Sequence, residues 1–200
     1  MRAISRRLVL AAVAVPGLAA CQKIGPDPAR GDMELGNPSA KVTVIEYASA
    51  SCPHCAAFNN EVFPQFRRKY VDNGRVRYIY REFLTPPVQV AAASFMLARC
   101  GGKDRYFPIL DAVYHANQEM YASGDFRGVL VRVARRFGIN EAQFTKCITD
   151  QKAFDALNAR VHAATDKDKI AGTPTFIING KTYGGEQSMA QLDAAIQPLL

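Results

Sequence analysis

The tetrapeptide Cys52-Pro53-His54-Cys55 carries the most definite chemistry in this chain. Two thiols separated by two residues can close a small disulfide ring. Where such a pair opens a helix, the two sulfurs are not equivalent. Unpaired backbone N–H groups and the positive end of the helix dipole stabilise a thiolate on the first cysteine, making Cys52 a nucleophile and a good leaving group. A protonated His54 adds positive charge beside it. Cys55, one turn further in, is more shielded and suits the resolving role. Because thiolate stabilisation favours the reduced pair, it makes the corresponding disulfide a stronger oxidant. The spacing alone also fits half of a zinc site or a static disulfide. Zinc needs four ligands, however, and Cys100 and Cys147 lack a second short spacing while His115 and His162 are not grouped, so no metal is expected. Ala56, standing where a haem attachment site needs histidine, excludes that use.

The flanking residues must place these thiols. From Lys41 to Ala48 the chain is dense in β-branched and apolar residues, as in a buried strand. Directly after it, Phe58, Val62, Phe63, Phe66 and Tyr70 fall on one helical stripe, so the cysteines sit at a strand-to-helix junction. Asp72-Asn73-Gly74 is a turn, and Arg75 to Phe83 reads as a second strand, giving a crossover unit with a parallel pair. Helical segments follow at Val88 to Arg99, around Tyr106 to Asn117, at Phe126 to Phe137, Glu141 to Ile148, and Gln151 to about Thr165. Asn140 with Gln143 has the form of an N-cap pair. Thr173 to Asn179, a turn at Asn179-Gly180, and Lys181 to Gly184 make a hairpin. A last helix from Ser188 places Met189, Leu192, Ile196 and Leu199 on one face. The expected organisation is a sheet domain, residues 39–86 and 170–200, interrupted by a helical domain, residues 87–169.

Met1 to Arg7 carry three arginines and no acid, and the thirteen residues from Leu8 to Ala20 are apolar or small. This is the form of an export signal, residues 1–20, and too short for a membrane-spanning helix. Ser5-Arg6-Arg7-Leu8-Val9-Leu10 also looks like a loose twin-arginine signal. Leu18-Ala19-Ala20-Cys21 resembles the bacterial lipobox, which implies a lipidated Cys21, a lipid anchor and a lipoprotein. Residues 21–38, rich in Pro, Gly, Asp and Asn, read as a tether. Export to the periplasm permits disulfides. Of five cysteines, Cys21 has its own explanation, which leaves Cys52, Cys55, Cys100 and Cys147 for two pairs. A Cys100–Cys147 bridge is the expectation, two buried free thiols the alternative. The formal charge is +7, and removing Arg2, Arg6 and Arg7 leaves +4, so composition gives no reason to expect a nucleic-acid partner.

With these elements in place, the chain resembles the DsbA-type thiol:disulfide oxidoreductases of the thioredoxin superfamily over roughly residues 34–200. The resemblance rests on Cys52-Pro53-His54-Cys55 after the strand Val42 to Tyr47, on the helical insertion, and on Gly172-Thr173-Pro174-Thr175-Phe176-Ile177-Ile178-Asn179-Gly180. It implies an α/β thioredoxin fold with an inserted helical domain, and an exported oxidase whose redox group is the Cys52–Cys55 disulfide, with no added cofactor. It further implies reduced client proteins as substrates and reoxidation by a DsbB-like membrane partner. Pro174 is expected in cis beside the cysteines, with Thr173 offering its backbone to an extended client segment. Threonine there is shared with some isomerases of the superfamily, so a disulfide isomerase or reductase is the alternative. Those isomerases dimerise through an added N-terminal domain, for which residues 21–38 are too few, so a monomer is expected. A reading of another class is a lipoprotein holding metal through Cys52, His54 and Cys55. Glu46, an acid inside an apolar strand, lies where a family acid assists proton transfer at the buried cysteine. The plainer reading of Glu46 is a carboxylate that reaches solvent at the strand end or pairs with a lysine.

Overall fold

A computed structural model describes residues 31–200. The leader, Cys21 and the tether up to residue 30 lie outside the described residues. The central sheet has five strands in the order β1-β3-β2-β4-β5, with β1 Met33–Gly36, β2 Val42–Ala48, β3 Val76–Glu82, β4 Thr175–Ile178 and β5 Lys181–Gly184. β2 and β3 run parallel, in register from Val42↔Val76 to Ala48↔Glu82. The helix between them, α1, occupies residues 53–71 and contains π turns at Phe58–Val62 and Arg67–Val71. Pro64 has no N–H to return to the preceding turn, and the first π turn ends two residues before it, at Val62. β4 is antiparallel to β2, and β5 to β4. The hairpin between them turns on Asn179 and Gly180, both at positive φ, the arrangement that an Asn-Gly pair suits.

Between β3 and β4 run six helices: α2 Val88–Cys100, α3 Lys103–His115, α4 Asn117–Ser123, α5 Phe126–Arg136, α6 Glu141–Ile148 and α7 Gln151–Asp168. α8, Met189–Ile196, closes the fold. Side chains of β2 and β3 alternate between two buried faces. Val44, Glu46, Tyr78 and Tyr80 point into the large core with α1 and the insert, and Ile45, Tyr47 and Ile79 point into a smaller cluster with Ala164. Both faces are covered, which is why the strands read as nearly continuous apolar runs. Two helix starts carry full capping boxes, Asn140 with Gln143 and Ser188 with Gln191.

The structure departs from the sequence reading in two places. Residues 33–36, read as the end of a tether, form an edge strand antiparallel to β3, from Met33↔Tyr80 to Gly36↔Arg77. Four residues are too few for alternation to show. Gly36 ends the strand at φ +85, and a Cβ there would sit 2.4 Å from the Val76 carbonyl oxygen. The second departure is α4, seven residues where the sequence suggested only a connection.

Buried charge ties the pieces together. Arg81, 1% exposed, binds Asp32 ahead of β1 at 2.9 Å and Asp168 at the end of α7 at 2.6 Å. Glu82, 3% exposed, takes Arg99 at 2.6 Å, Arg160 at 3.4 Å and the Tyr106 hydroxyl at 3.0 Å. Cys100 and Cys147 are bonded to each other, joining the end of α2 to α6 with a Cα–Cα distance of 5.9 Å. A loop of that length constrains the unfolded chain by about 4 kcal/mol in the chain-entropy view. The double variant Cys100→Ala/Cys147→Ala is expected to unfold at lower denaturant with a loss of that order, while keeping the Cys52–Cys55 exchange. Equal midpoints would show that the bridge adds nothing to stability.

Candidate active site

Cys52 caps the start of α1 with extended backbone, and Pro53 follows at the first helical position, where its missing N–H costs nothing. The Cys52 N–H donates to the Ser49 carbonyl at 3.0 Å, folding the strand end tightly into the helix. Both thiols are reduced and buried, Cys52 at 7% exposure and Cys55 at 0%. Directly before β4, the strand paired with β2, comes the cis bond Thr173–Pro174. In its protonated form the Cys52 thiol donates to the Thr173 carbonyl at 3.6 Å. The Thr173 hydroxyl is buried and has no hydrogen-bond partner while Cys52 is a thiol; once Cys52 is ionised, the hydroxyl becomes a donor to its sulfur. The Ser49 N–H donates to the Cys55 sulfur at 3.5 Å.

The two sulfurs are driven in opposite directions. Hydrogen bonds from the Cys55 thiol, the Thr173 hydroxyl and the Cys55 and His54 backbone N–H groups outweigh partial burial and bring Cys52 from 9.0 to about 5. Cys55 goes strongly upward, chiefly because it is buried and then because its thiol bonds to and faces the Cys52 anion. Cys52 is therefore a thiolate at neutral pH and Cys55 a thiol.

Glu46 lies one layer below, 3% exposed. It neither reaches solvent nor meets a lysine, which corrects the plainer sequence reading. Its partner is Tyr78, whose hydroxyl donates to it at 2.5 Å. Burial dominates, the Tyr78 bond opposes, and the nearby Cys52 charge adds to burial, so the carboxyl sits at about 8 and is mostly protonated at neutral pH. A cavity of about 350 Å³ opens beside it, walled by Tyr78, Tyr80, Phe107 and Tyr114. His54 is exposed and turned toward the Glu186 carboxylate, in close contact through Nδ1. It does not join the cysteines in a ligand set, and among the described residues no three His, Cys, Asp or Glu side chains converge. Cys100 and Cys147 belong to the insert, at the junction of α2 and α6.

Sequence reasoning placed Cys52, Cys55, Thr173 and Pro174 in one site. It missed Tyr78, Glu186, the hydroxyl cluster of Ser49, Ser51 and Thr85, and Tyr121. Each of these acts through a contact 30 or more residues away, apart from the Ser49–Ser51 pair, and leaves no local pattern.

A thiolate-forming CxxC at a strand-to-helix junction, opposite a cis-proline, defines a thioredoxin-fold dithiol centre. The chain belongs to the thioredoxin family, which it matches over residues 29–198, and within it to the DsbA type. A Rickettsia bellii protein described as a protein-disulfide oxidoreductase is 32% identical over 170 residues, 83% of this chain. The chain spans 65% of that relative's length and 60% of a Rickettsia conorii one. The crystal structure of Wolbachia pipientis alpha-DsbA1 superposes with a TM-score of 0.77 at 30% identity, covering 86% of this chain and 92% of that one. Oxidised BdbD of Bacillus subtilis, at 20% identity and TM-score 0.69, covers 85% and 93% and shares the fold.

Two pH dependences follow. A depressed thiol stabilises the folded reduced protein fully above the unfolded value near 9, and this gain is lost as pH falls through about 5. At pH 7 the reduced form should therefore outlast the oxidised form in denaturant, with the difference shrinking toward pH 5. A more stable oxidised form at pH 7 would contradict the thiolate assignment. Glu46 has the opposite sign: a raised carboxyl costs stability as pH rises from 4.5 through about 8. Glu46→Gln, still able to bond Tyr78, should gain stability over the parent progressively across that range. Parallel stability–pH curves would show that Glu46 does not titrate there.

Proposed function

We propose that this protein is an exported thiol:disulfide oxidase that donates its Cys52–Cys55 disulfide to reduced client proteins. The observation that carries the reading is the placement of Cys52 at the start of α1, within 3.6 Å of the Thr173 carbonyl of the cis Thr173–Pro174 bond, with Cys55 fully buried behind it, a geometry that drives the two thiols to opposite ionisation. A client thiolate attacks the Cys52 sulfur, the Cys52–Cys55 bond breaks, and its electron pair leaves on Cys55, which takes up a proton. The client is then bonded to Cys52, next to the Thr173–Pro174 edge that accepts its extended chain. A second client thiolate attacks the client sulfur and expels Cys52 as a stable thiolate. Two electrons have passed from the client dithiol to the enzyme, and the client holds the disulfide. Glu46, protonated at neutral pH, is the buried acid assigned to supply the Cys55 proton and to take it back on reoxidation.

In this reading a DsbB-like membrane partner reoxidises the dithiol, and Cys21 carries a lipid that keeps the domain within its reach in the periplasm. Support for export and anchoring comes from the basic, apolar leader and the lipobox-like Leu18-Ala19-Ala20-Cys21. A second reading, a disulfide isomerase or reductase, rests on Thr173, a residue type shared at this position with some isomerases of the superfamily; the hydroxyl itself, as a donor that stabilises the Cys52 thiolate, supports the oxidase. The reduction potential of the Cys52–Cys55 pair against glutathione separates the two, an oxidase standing well above the glutathione poise.

Cys55→Ser should accumulate mixed disulfides with clients through Cys52, because nothing remains to expel the client from the Cys52 side. Cys52→Ser should trap none. Equal trapping by both variants, read on non-reducing gels, would overturn the assignment of Cys52 as the exchanging sulfur.

A further inference from the structure

Among the described residues, the exposed large apolar side chains are Val88 and Tyr121. Tyr121 lies on α4 of the insert, and 42% of it is exposed. Its ring nonetheless has a fixed place, edge-on to Phe126 with centroids 5.6 Å apart. Its hydroxyl donates to the carbonyl of Ser51 at 2.6 Å, and Ser51 is the residue directly before Cys52.

Residues 49–51 are held from two other directions. Toward α1, the Ser49 carbonyl accepts the Cys52 N–H and the Ser49 N–H reaches the Cys55 sulfur. Toward the β3–α2 connection, Ser49 Oγ and Ser51 Oγ both bond Thr85 Oγ1, at 2.8 and 2.9 Å. Those contacts fix the side chains of the two serines and the backbone of Ser49. They leave the Ser51 carbonyl, whose dipole presents negative charge one residue from a sulfur that must itself be negative. A hydroxyl bonded to that oxygen draws off part of this charge and fixes the peptide that sets the direction of the Cys52 side chain.

We propose that Tyr121 is a positioning residue for Cys52, by which the helical insert holds the Ser51–Cys52 peptide in the orientation that stabilises the attacking sulfur. The proposal rests on the reading of Cys52 as an activated thiolate. The Tyr121 phenol is pushed up by burial and by the neighbouring Cys52 charge, so it remains a donor whenever Cys52 is ionised. The other titratable groups around Cys52 are Cys55 and His54 on α1, with Glu186 on His54, and Glu46 on β2. None of these bonds the Ser51 carbonyl, so a change at Tyr121 reports on this one contact.

Tyr121→Phe removes the hydroxyl and keeps the ring against Phe126. Two quantities are read on the full folded protein: the thiolate absorbance of Cys52 against pH, and the equilibrium with glutathione. The variant is expected to titrate at higher pH and to be a weaker oxidant, by roughly fivefold in the glutathione equilibrium, the scale of one neutral hydrogen bond. Phe126→Leu loosens the ring but keeps the hydroxyl, and is expected to leave both quantities near the parent. A Tyr121→Phe protein with the parent's titration and equilibrium overturns the proposal. So does a Phe126→Leu protein with the same shifts, since packing would then be the cause. If the parent's Cys52 itself titrates near 9, the oxidase reading falls and takes this proposal with it; a low parental value unchanged in Tyr121→Phe removes the proposal alone.

Discussion

One sulfur must be comfortable as an anion while another, three residues along the same helix, must not be. Every other feature of the site serves that asymmetry. A thiolate held by hydrogen bonds at a helix start is stable as a leaving group, and it stays stable only while no second charge is buried beside it. Cys55 satisfies this by being shut away from solvent, at 0% exposure, where its own ionisation is heavily disfavoured. Two chemically identical groups thus acquire different roles from position alone. The arrangement also gives the reason to expect the reduced pair to be the relaxed state: ring closure removes the anion and the Cys55 thiol, and leaves the remaining donors without the charge they stabilise.

The sheet supplies what the helix cannot. β2 ends at Ala48, directly before the turn that presents Cys52, and the same strand carries Glu46 two residues earlier on the core-facing side. The parallel register of β3 brings Tyr80 alongside Glu46 and lets Tyr78 reach it, so the buried carboxyl has a donor without a cation. A lysine in place of Tyr78 would hold Glu46 ionised and place a second negative charge under the thiolate. Tyrosine keeps it neutral and exchangeable. The opposite face of β3 does different work. There Arg81 joins the segment before β1 to the end of α7, and on the front, at the strand end, Glu82 gathers arginines from α2 and α7. Removing one partner from such buried pairs is far costlier than never having built them. These charges therefore fix the placement of the insert on the sheet, and the insert carries Tyr114 and Tyr121 to the site.

What was legible in the sequence was whatever a short window encodes. Cys52 and Cys55 declare themselves by spacing, Asn179-Gly180 by the positive φ its turn requires, and Asn140 with Gln143 by a reciprocal cap within four residues. The order of strands and helices gave a sheet interrupted by a helical segment, and the resemblance carried by Cys52-Pro53-His54-Cys55 and residues 172–180 implied the thioredoxin fold. Glu46 was visible as an anomaly, an acid in an apolar run, yet its meaning depended on Tyr78, 32 residues on, and a single sequence does not reveal that pairing. β1 was hidden for a different reason. Its four residues are a strand because β3 offers them an edge, and Asp32 is anchored because Arg81 is buried behind it. Tyr121 was the least legible, sitting on a seven-residue helix with little amphipathic signal and touching the site through one hydroxyl.

Those contacts give the insert a part in the chemistry beyond covering the sheet. Tyr114 on α3 bonds Tyr80 at 2.6 Å and walls the cavity by Glu46, while Tyr121 on α4 bonds the backbone before Cys52. The Cys55 thiol and the Cys52 thiolate are thus each neighboured by a hydroxyl carried by the insert and not by the sheet. Changes in the helices between β3 and β4 of this chain would therefore reach the thiolate, the buried acid and the surface beside Cys52 with Cys52-Pro53-His54-Cys55 left as it is. The tetrapeptide carries the exchanging thiols, and the tyrosines that reach over from the insert, one to the Tyr80 hydroxyl and one to the Ser51 carbonyl, form part of their surroundings.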